Sequence, residues 1–542
     1  MRLKFSTLKR FPVWITALCL VKLTVELTKG HWYKSYAYDN KSNAKTLHQI
    51  DSAATASFVH QTGRVTNEQS SESMTHYVKR FAISKTFKIC THEQRPNGPN
   101  ASTVVWRKGV YQHHKWTVPP YGDHDTFVLH HYFDDRFFKT HKQRFLRAPV
   151  AIKGPGPLRS AQKDPETLKW ALTMNKVPFY AVLWYDGFEH GVSSICKHSG
   201  ASGLVRNVNN TYYFQQMMFC PIPEIDLLPS HVSLSSAHCK QAQTYDVIVY
   251  PRTPRFPGSR DIGVCMASLY GSMNRTNIPY FVNWMEALKL FGVIEVTMNN
   301  ASFEFADAET AKTFQYYIDR HELIFTHYPV VHESWERSRK HDDDASESVN
   351  KLTTGDCFYR NLKRYWYTLI LDVDELPVPL KHNTYKELLE EHLKHYPNLS
   401  DAHCLPMQSA FFYRDYPAGN TTYEEHLPIL RYTRHIRPEP VEGSHDGVGI
   451  SKSFHNPRNC VASGHHLCRA SHLLGDKHMK RQWLPVDDIL IHHYRAFCKY
   501  KDDCKKFAKT ILHDDSLPKR FGSAIQQRVE KVLTELNFDF NH

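Results

Sequence analysis

No stretch of this chain is apolar for the roughly 20 residues that cross a bilayer, no two cysteines stand at C-x-x-C spacing, and no nucleic-acid-binding motif occurs in its 542 residues. The second absence excludes a zinc ribbon. The third is reinforced by the charge pattern: 68 Lys and Arg outnumber 55 Asp and Glu, for a net +13, but they are scattered rather than gathered into a run. Such an excess suits nucleotide diphosphates or a membrane surface as readily as nucleic acid, and with no nucleic-acid motif present nucleic acid is not expected as a partner. Most of the 35 histidines lie in no metal-binding spacing and read as solvated or structural.

What the N-terminus does have is Lys4, Lys9 and Arg10 ahead of an apolar stretch from Phe11 to Val21, broken by Lys22 and Glu26. This reads as secretory targeting. No A-x-A-like cleavage site follows, which favours a retained anchor over a cleaved signal peptide. Residues 1–10 are then a cytoplasmic tail, 11–29 the signal anchor or signal peptide, and the rest is lumenal. Sequons at Asn40, Asn100, Asn209, Asn274, Asn300, Asn398 and Asn420 agree with that address. So do the cysteines. Of 12 in all, 11 lie beyond the targeting segment, and in an oxidising lumen several should be bridged. Cys460 with Cys468, Cys498 with Cys504, and Cys220 with Cys239 would close short loops. Cys265, between Val264 and Met266, reads as a buried free thiol.

Residues 30–78 are polar and aperiodic, as a stem or linker is. Residues 79–250 carry β-branched and aromatic clusters between Gly, Pro and Asn turns, which predicts a β-rich accessory domain. After the Pro-punctuated Tyr250–Gly258, a catalytic domain is expected over 256–530. There strands at Ile262–Leu269, Val293–Met298 and Leu323–Tyr328 alternate with helices at Tyr280–Phe291 and Asp307–Arg320. Successive βα units predict an α/β fold with a mostly parallel sheet.

The strand Tyr365–Leu371 runs directly into Asp372-Val-Asp374-Glu375. Ligands of open α/β sheets bind at the carboxyl ends of strands, and Asp372 and Asp374, two apart, share a side. Convergent carboxylates repel unless a hard cation joins them, so Mg²⁺ or Mn²⁺ is the expected occupant, completing its shell with phosphate oxygens of a nucleotide-sugar donor. A phosphohydrolase also places its nucleophilic Asp at a strand end, but Leu376 stands where its Thr or Val would be. A second short strand, Asp488–Ile491, leads to His492-His493-Tyr494-Arg495, where imidazole can complete a Mn²⁺ shell and guanidinium suits a diphosphate.

The runs Asp261–Gly271, Phe281–Glu286 with Phe291-Gly292, Gly355–Arg360, Leu371–Glu375 and His492–Arg495 together resemble glycosyltransferase family 92, in order and spacing. The likeness spans about 260 to 500, with a fainter one before it. It implies a GT-A-type nucleotide-diphospho-sugar fold, a single-pass type II Golgi membrane protein, and Mn²⁺-dependent transfer of a sugar to a glycan or glycoprotein. In that family the sugar is galactose, moved from UDP-galactose in β linkage to acceptors that include the core fucose of N-glycans. Mapped onto this chain, the resemblance gives Asp372, Asp374 and His493 as metal ligands. It puts Asp356 and Arg360 on the nucleotide side, although an i,i+4 ion pair in a packed helix is an equal reading. Arg495, Lys452 and one of His465 and His466 fall on the donor side.

An inverting transfer needs a carboxylate to take the acceptor proton. Glu375, Asp446 and Glu442 are candidates, with Glu375 read equally as a partner orienting the metal ligands. Trp335 and Tyr413 could stack on sugar or pack in the core. A non-catalytic lectin on the same fold is the alternative from another class. A secreted form after signal cleavage is the alternative address.

Overall fold

The computed structural model describes residues 86–91, 105–107, 110–112, 120–121, 124–128, 130–138, 142–153, 179–199, 204–206, 212–225, 227–235, 237–240, 246–266, 275–300, 307–327, 353–414, 422–436, 451–468, 480–495 and 511–539. The targeting segment 11–29 and the stem lie outside these. Among the described residues no helix is long and apolar enough to cross a membrane.

Two sheets organise the chain. The first has 11 strands, from Phe87–Cys90 to Asp246–Val249. Its long strands Arg144–Lys153 and Tyr212–Ile222 pair antiparallel over their whole length, which returns the end of the strand order onto its beginning and closes a ring. Leu146, Ala148 and Val150 alternate inward to meet Met218, Cys220, Leu183 and Val232 in the ring's core. Asp134 is buried with Arg136 and Arg147, and their charges hold its carboxyl far below the usual range against the opposing effect of burial.

The second sheet, of 12 strands, carries the site. It begins with β1 (Ile262–Met266), α1 (Ile278–Leu290), β2 (Val293–Asn300), α2 (Ala308–Asp319) and β3 (Leu323–His327), followed by a helical segment at 353–360 and β4 (Tyr367–Leu371). The four strands are parallel, in the order β3-β2-β1-β4. Local chemistry explains the boundaries. Pro279 opens α1, and Gly292 closes it at φ 92°. Asp307 caps α2 by accepting the Thr310 N–H at 2.7 Å. Phe281, Trp284, Met285 and Leu288 seat α1 on the sheet beside Tyr317 of α2. The short hairpin Val105–Arg107 and Val110–Gln112 joins this sheet too, with Val110–Gln112 lying parallel to β3.

Beyond β4 the expected parallel arrangement gives way to a mixed one. β5 (Glu375–Pro379), α3 (Tyr385–His395), β6 (Cys404–Tyr413), β7 (Arg434–Ile436), β8 (Ser451–His455), β9 (Ile489–Arg495) and β10 (Leu512–His513) precede the long α4 (Ser516–Glu535). Here β4–β8, β8–β6 and β9–β5 are antiparallel and only β6–β9 is parallel. The reason lies at Asp372. The chain turns into β5 within three residues, with no crossover helix to carry it back to the same end of the sheet. The fold is therefore α/β with mixed sheets, not a mostly parallel one.

The bridges among the described residues are Cys90–Cys239, Cys196–Cys220, Cys265–Cys357 and Cys460–Cys468. Only the last matches a loop expected from spacing. Cys220 and Cys239 take partners on neighbouring strands instead of each other, and Cys265 ties β1 to the 353–360 helix; the buried free thiol is Cys404. Cys498 and Cys504 lie outside the described residues. Four bridges point to a secretory or lumenal environment, where disulfides persist.

On β8, His455 is fully buried against the Phe358 ring, and burial pushes its imidazole down to about 4 from the usual 6.5. The folded state keeps His455 neutral, while the unfolded chain takes up a proton as pH falls below 6.5. Its contribution is complete above pH 6.5 and is lost as pH drops toward 4, by roughly 3 kcal/mol. Urea unfolding across this range should show that loss in the wild type and a flatter profile in His455→Asn; equal slopes would refute the assignment.

Candidate active site at the carboxyl ends of the parallel strands

All five residues of β4 are buried, so the first polar side chain that can reach solvent at its carboxyl end is Asp372. The turn that follows closes on itself. The Glu375 N–H donates to the Asp372 carbonyl at 3.1 Å, and the Asp372 N–H donates to Glu375 Oε2 at 3.0 Å. Trp284 of α1 steadies the turn by donating its indole N–H to the Glu375 carbonyl at 2.7 Å. The order β3-β2-β1-β4 reverses direction between β1 and β4, and the crevice at such a reversal is where open sheets bind ligands.

Lys452 reaches the turn from β8, antiparallel to β4. Its Nζ lies 2.9 Å from Asp372 Oδ2 and 3.0 Å from Glu375 Oε2, with the side chain 1% exposed. His465 Nε2 is 3.0 Å from the same Asp372 oxygen and 2.6 Å from Lys452 Nζ. Burial alone would raise the Asp372 carboxyl, but the His465 and Lys452 charges outweigh it and hold the group well below the carboxylate range. Burial would also lower Lys452, and the facing Asp372 and Glu375 carboxylates raise it instead. His466 points elsewhere: its Nδ1 meets the Ser451 carbonyl at 2.7 Å and burial lowers the ring to about 3.

His493 and Arg495 arrive within β9, not beyond its end as the sequence reading had them. Strand alternation sorts the motif. His493 and Arg495 face the carboxylates, while His492 stacks on Phe412 at 4.2 Å and Tyr494 donates its hydroxyl to the Ile429 carbonyl. His493 pairs in register with Glu375. Its Nε2 stands 3.2 Å from Asp374 Oδ2 and 3.1 Å from Arg495 Nε, and its Nδ1 3.5 Å from Glu375 Oε1. Burial opposes a charge on His493, but Asp374 and Glu375 raise its pKa overall.

The structure thus gathers Asp372, Asp374, Glu375, Lys452, His465, His493 and Arg495. Asp356 and Arg360 form an i,i+4 ion pair at 2.9 Å on the 353–360 helix, both buried, with the Tyr132 hydroxyl also on Asp356. Helix packing, the equal reading of that motif, describes this geometry. Asp446, Glu442 and Trp335 lie outside the described residues. Tyr413 is buried and stacks on Phe411. Tyr280 was not foreseen. Its hydroxyl is buried without a hydrogen bond, its pKa is raised by burial and then by Asp374, and Arg414 sits 4.7 Å from its ring. Its place in the first turn of α1 made it look like one more core aromatic.

Among the described residues no three of His, Cys, Asp and Glu stand close enough to form a complete metal site. Donor chemistry divides the candidates. Asp374 and His493 offer an oxygen and a nitrogen to one point, and Glu375 beside Nδ1 is the carboxylate that orients a metal-bound imidazole. Asp372 Oδ2 is already taken by Lys452 and His465. Asp374 and His493 are the residues that would hold a divalent cation, His493 Nε2 then exchanging its contact with Arg495 Nε for the metal; Asp372 does not supply a third direct ligand through that oxygen.

The family model described as glycosyltransferase family 92 matches residues 260–537. Among solved structures, the bifunctional glycosyltransferase WbbM in its apo form shows 8% identity and a TM-score of 0.18, over 31% of this chain and 27% of that one. The chain therefore spans about a quarter of that enzyme's length. A mycobacterial protein shows 12% identity and a TM-score of 0.21, over 52% of this chain and 77% of that one. Neither score supports an argument about fold. No curated protein matches.

Lys452→Met should leave the buried Glu375 without its counter-charge, and the half-buried Asp372 with His465 alone, and cost about 3–5 kcal/mol of stability, as breaking one side of a buried pair does. Denaturant unfolding of the variant checks this, and an unchanged midpoint would contradict the geometry.

Proposed function

The chain belongs to glycosyltransferase family 92, and from that premise we propose a metal-dependent transferase that moves a sugar, with galactose from UDP-galactose the favoured donor, onto a glycan acceptor in the secretory lumen. The observation that carries the reading is the meeting of Asp374 and His493 at the strand reversal, beside a carboxylate turn held by a buried lysine. A GT-A-type fold is supported by the order β3-β2-β1-β4, and a lumenal address by the disulfides. A Golgi type II anchor at 11–29 belongs to the same proposal.

Asp374 and His493 would hold Mn²⁺ or a similar cation, which would supply charge neutralisation for the leaving diphosphate. The chain's own residues do the rest. Arg495, on the same face as His493, presents a guanidinium fork to phosphate oxygens. Lys452 keeps Asp372 ionised and fixed, and the Asp372 side chain, 30% exposed, offers its outer oxygen to a donor hydroxyl. Glu375 is 3% exposed, with one oxygen on Lys452 and the Asp372 N–H and the other facing His493, so it serves as the orienting partner. That passes the base to Asp446 or Glu442.

The full chain, incubated with Mn²⁺ and a panel of UDP-sugars, should release UDP fastest from UDP-galactose in the presence of fucosylated N-glycans. Asp374→Ala should lower turnover by about a hundredfold or more while the fold persists. Full activity in that variant would sink the metal assignment. No release with any donor and acceptor would sink the transferase reading, and phosphate release from a phosphomonoester would replace it with a hydrolase.

A further inference from the structure

At the opposite end of the parallel strands lies a cavity of about 350 Å³, bordered by Arg252, Arg255, Glu295, Arg320, Arg364 and the strand-opening residues of β3. Arg364 lies three residues before the start of β4 and Asp372 directly follows its end, so a five-residue strand, on the order of 17 Å long, separates the two sites.

The charges around this cavity do not cancel. Glu295 is the single acid lining it, and its oxygens are committed: Arg252 binds both, at 2.7 and 3.1 Å, and the Tyr365 hydroxyl donates to Oε1. Gly263 makes that arrangement possible, because a Cβ there would run into the Tyr365 ring. Arg320 has its own partner in Glu535 at 3.0 Å and lies over the Tyr316 ring. Two arginines are left over. Arg255 is exposed and, among the described residues, its side chain reaches the His321 carbonyl at 3.5 Å and no carboxylate. Arg364 is 4% exposed, its Nε makes no hydrogen bond, and no carboxylate among the described residues forms an ion pair with it. Burial, together with the nearby Arg252 and Arg255, pushes its pKa down against the pull of Glu295. A guanidinium does not lose its proton in proteins, so Arg364 stays charged, and a buried unpaired charge is costly.

We propose that this cavity is a binding site for a phosphate or sulfate oxoanion, free or carried on a small sugar ester, held by Arg364 and Arg255 and separate from the donor site. Two guanidinium forks supply the planar paired donors that oxoanions accept. The cavity is at the lower end of the size of small-ligand clefts, with room for more than the bare ion. Glu295 orients Arg252 and keeps the site from being uniformly repulsive when empty.

The test is the melting temperature of the full chain with millimolar inorganic phosphate, against chloride at matched ionic strength, together with calorimetric titration. Phosphate should raise the melting temperature of the wild type. Arg255→Gln, at an exposed position, and Arg364→Gln should each weaken phosphate binding by about tenfold or more. Without phosphate, Arg364→Gln should melt no lower than the wild type, because it removes an unpaired buried charge. Asp374→Ala should keep the phosphate response, which separates this site from the donor site. Tighter binding of a hexose 6-phosphate than of phosphate assigns the cavity to an ester, and equal binding assigns it to the free ion. A wild type that ignores both ligands, or arginine variants that respond as the wild type does, would overturn the proposal.

Discussion

A single buried ammonium group organises the catalytic end of the sheet. Lys452 Nζ lies between Asp372 and Glu375, and each contact depends on the others. The β4–β8 register pairs Leu369 with Phe454, which carries Lys452 up to the turn at Asp372. Two carboxylates folded into a tight turn would otherwise repel one another in a poorly solvated place. Lys452 is joined by His465 on Asp372, and His493 and Arg495 stand beside Asp374, so the carboxylates meet facing cations and the geometry of the turn is already fixed. Pre-organisation of this kind spares a ligand the work of ordering the site.

The switch from parallel to antiparallel pairing serves the same end. In the parallel part every strand must return through a helix, so only strand ends can present side chains to the crevice. Beyond Asp372 that restriction is lifted. β9 lies between β5 and β6 with both faces covered, and its alternation divides one motif between two duties. His493 and Arg495 enter the site, while His492 and Tyr494 anchor the strand against Phe412 and the Ile429 carbonyl.

These features differ in how far the sequence reveals them. The βα units were readable because period, cap and stop are local: Asp307 and Gly292 act on residues within one turn. The position of Asp372 and Asp374 was readable because a strand followed directly by acids is also a local pattern, whereas His493, read as following a strand, lies inside one. Strand direction after Asp372 was not, since it is set by partners some 80 residues away, as with Leu369 and Phe454. Disulfide pairing fails for the same reason: Cys265 looked apolar and alone because its partner, Cys357, lies 92 residues on. Asp356 and Arg360 carried two equal readings from sequence, a ligand contact and an i,i+4 pair, and in the structure the helix turns both inward, where they pair with each other.

Both ends of β4 follow from one constraint. Its five residues are buried, with aliphatic side chains at its carboxyl half, so charge can appear only where the strand starts and where it stops. At the stop, Asp372 and Glu375 share the buried Lys452. At the start, Arg252 and Glu295 satisfy each other and the surplus is arginine. That surplus does not help the fold by itself, because unpaired charge near a low-dielectric core is unfavourable. A chain under no demand beyond folding would fare better with an apolar residue at Arg364, where the side chain is already enclosed. With no carboxylate ion-paired to it among the described residues, the enclosed guanidinium of Arg364 is the physical argument for the anion proposed at the amino end of the strand.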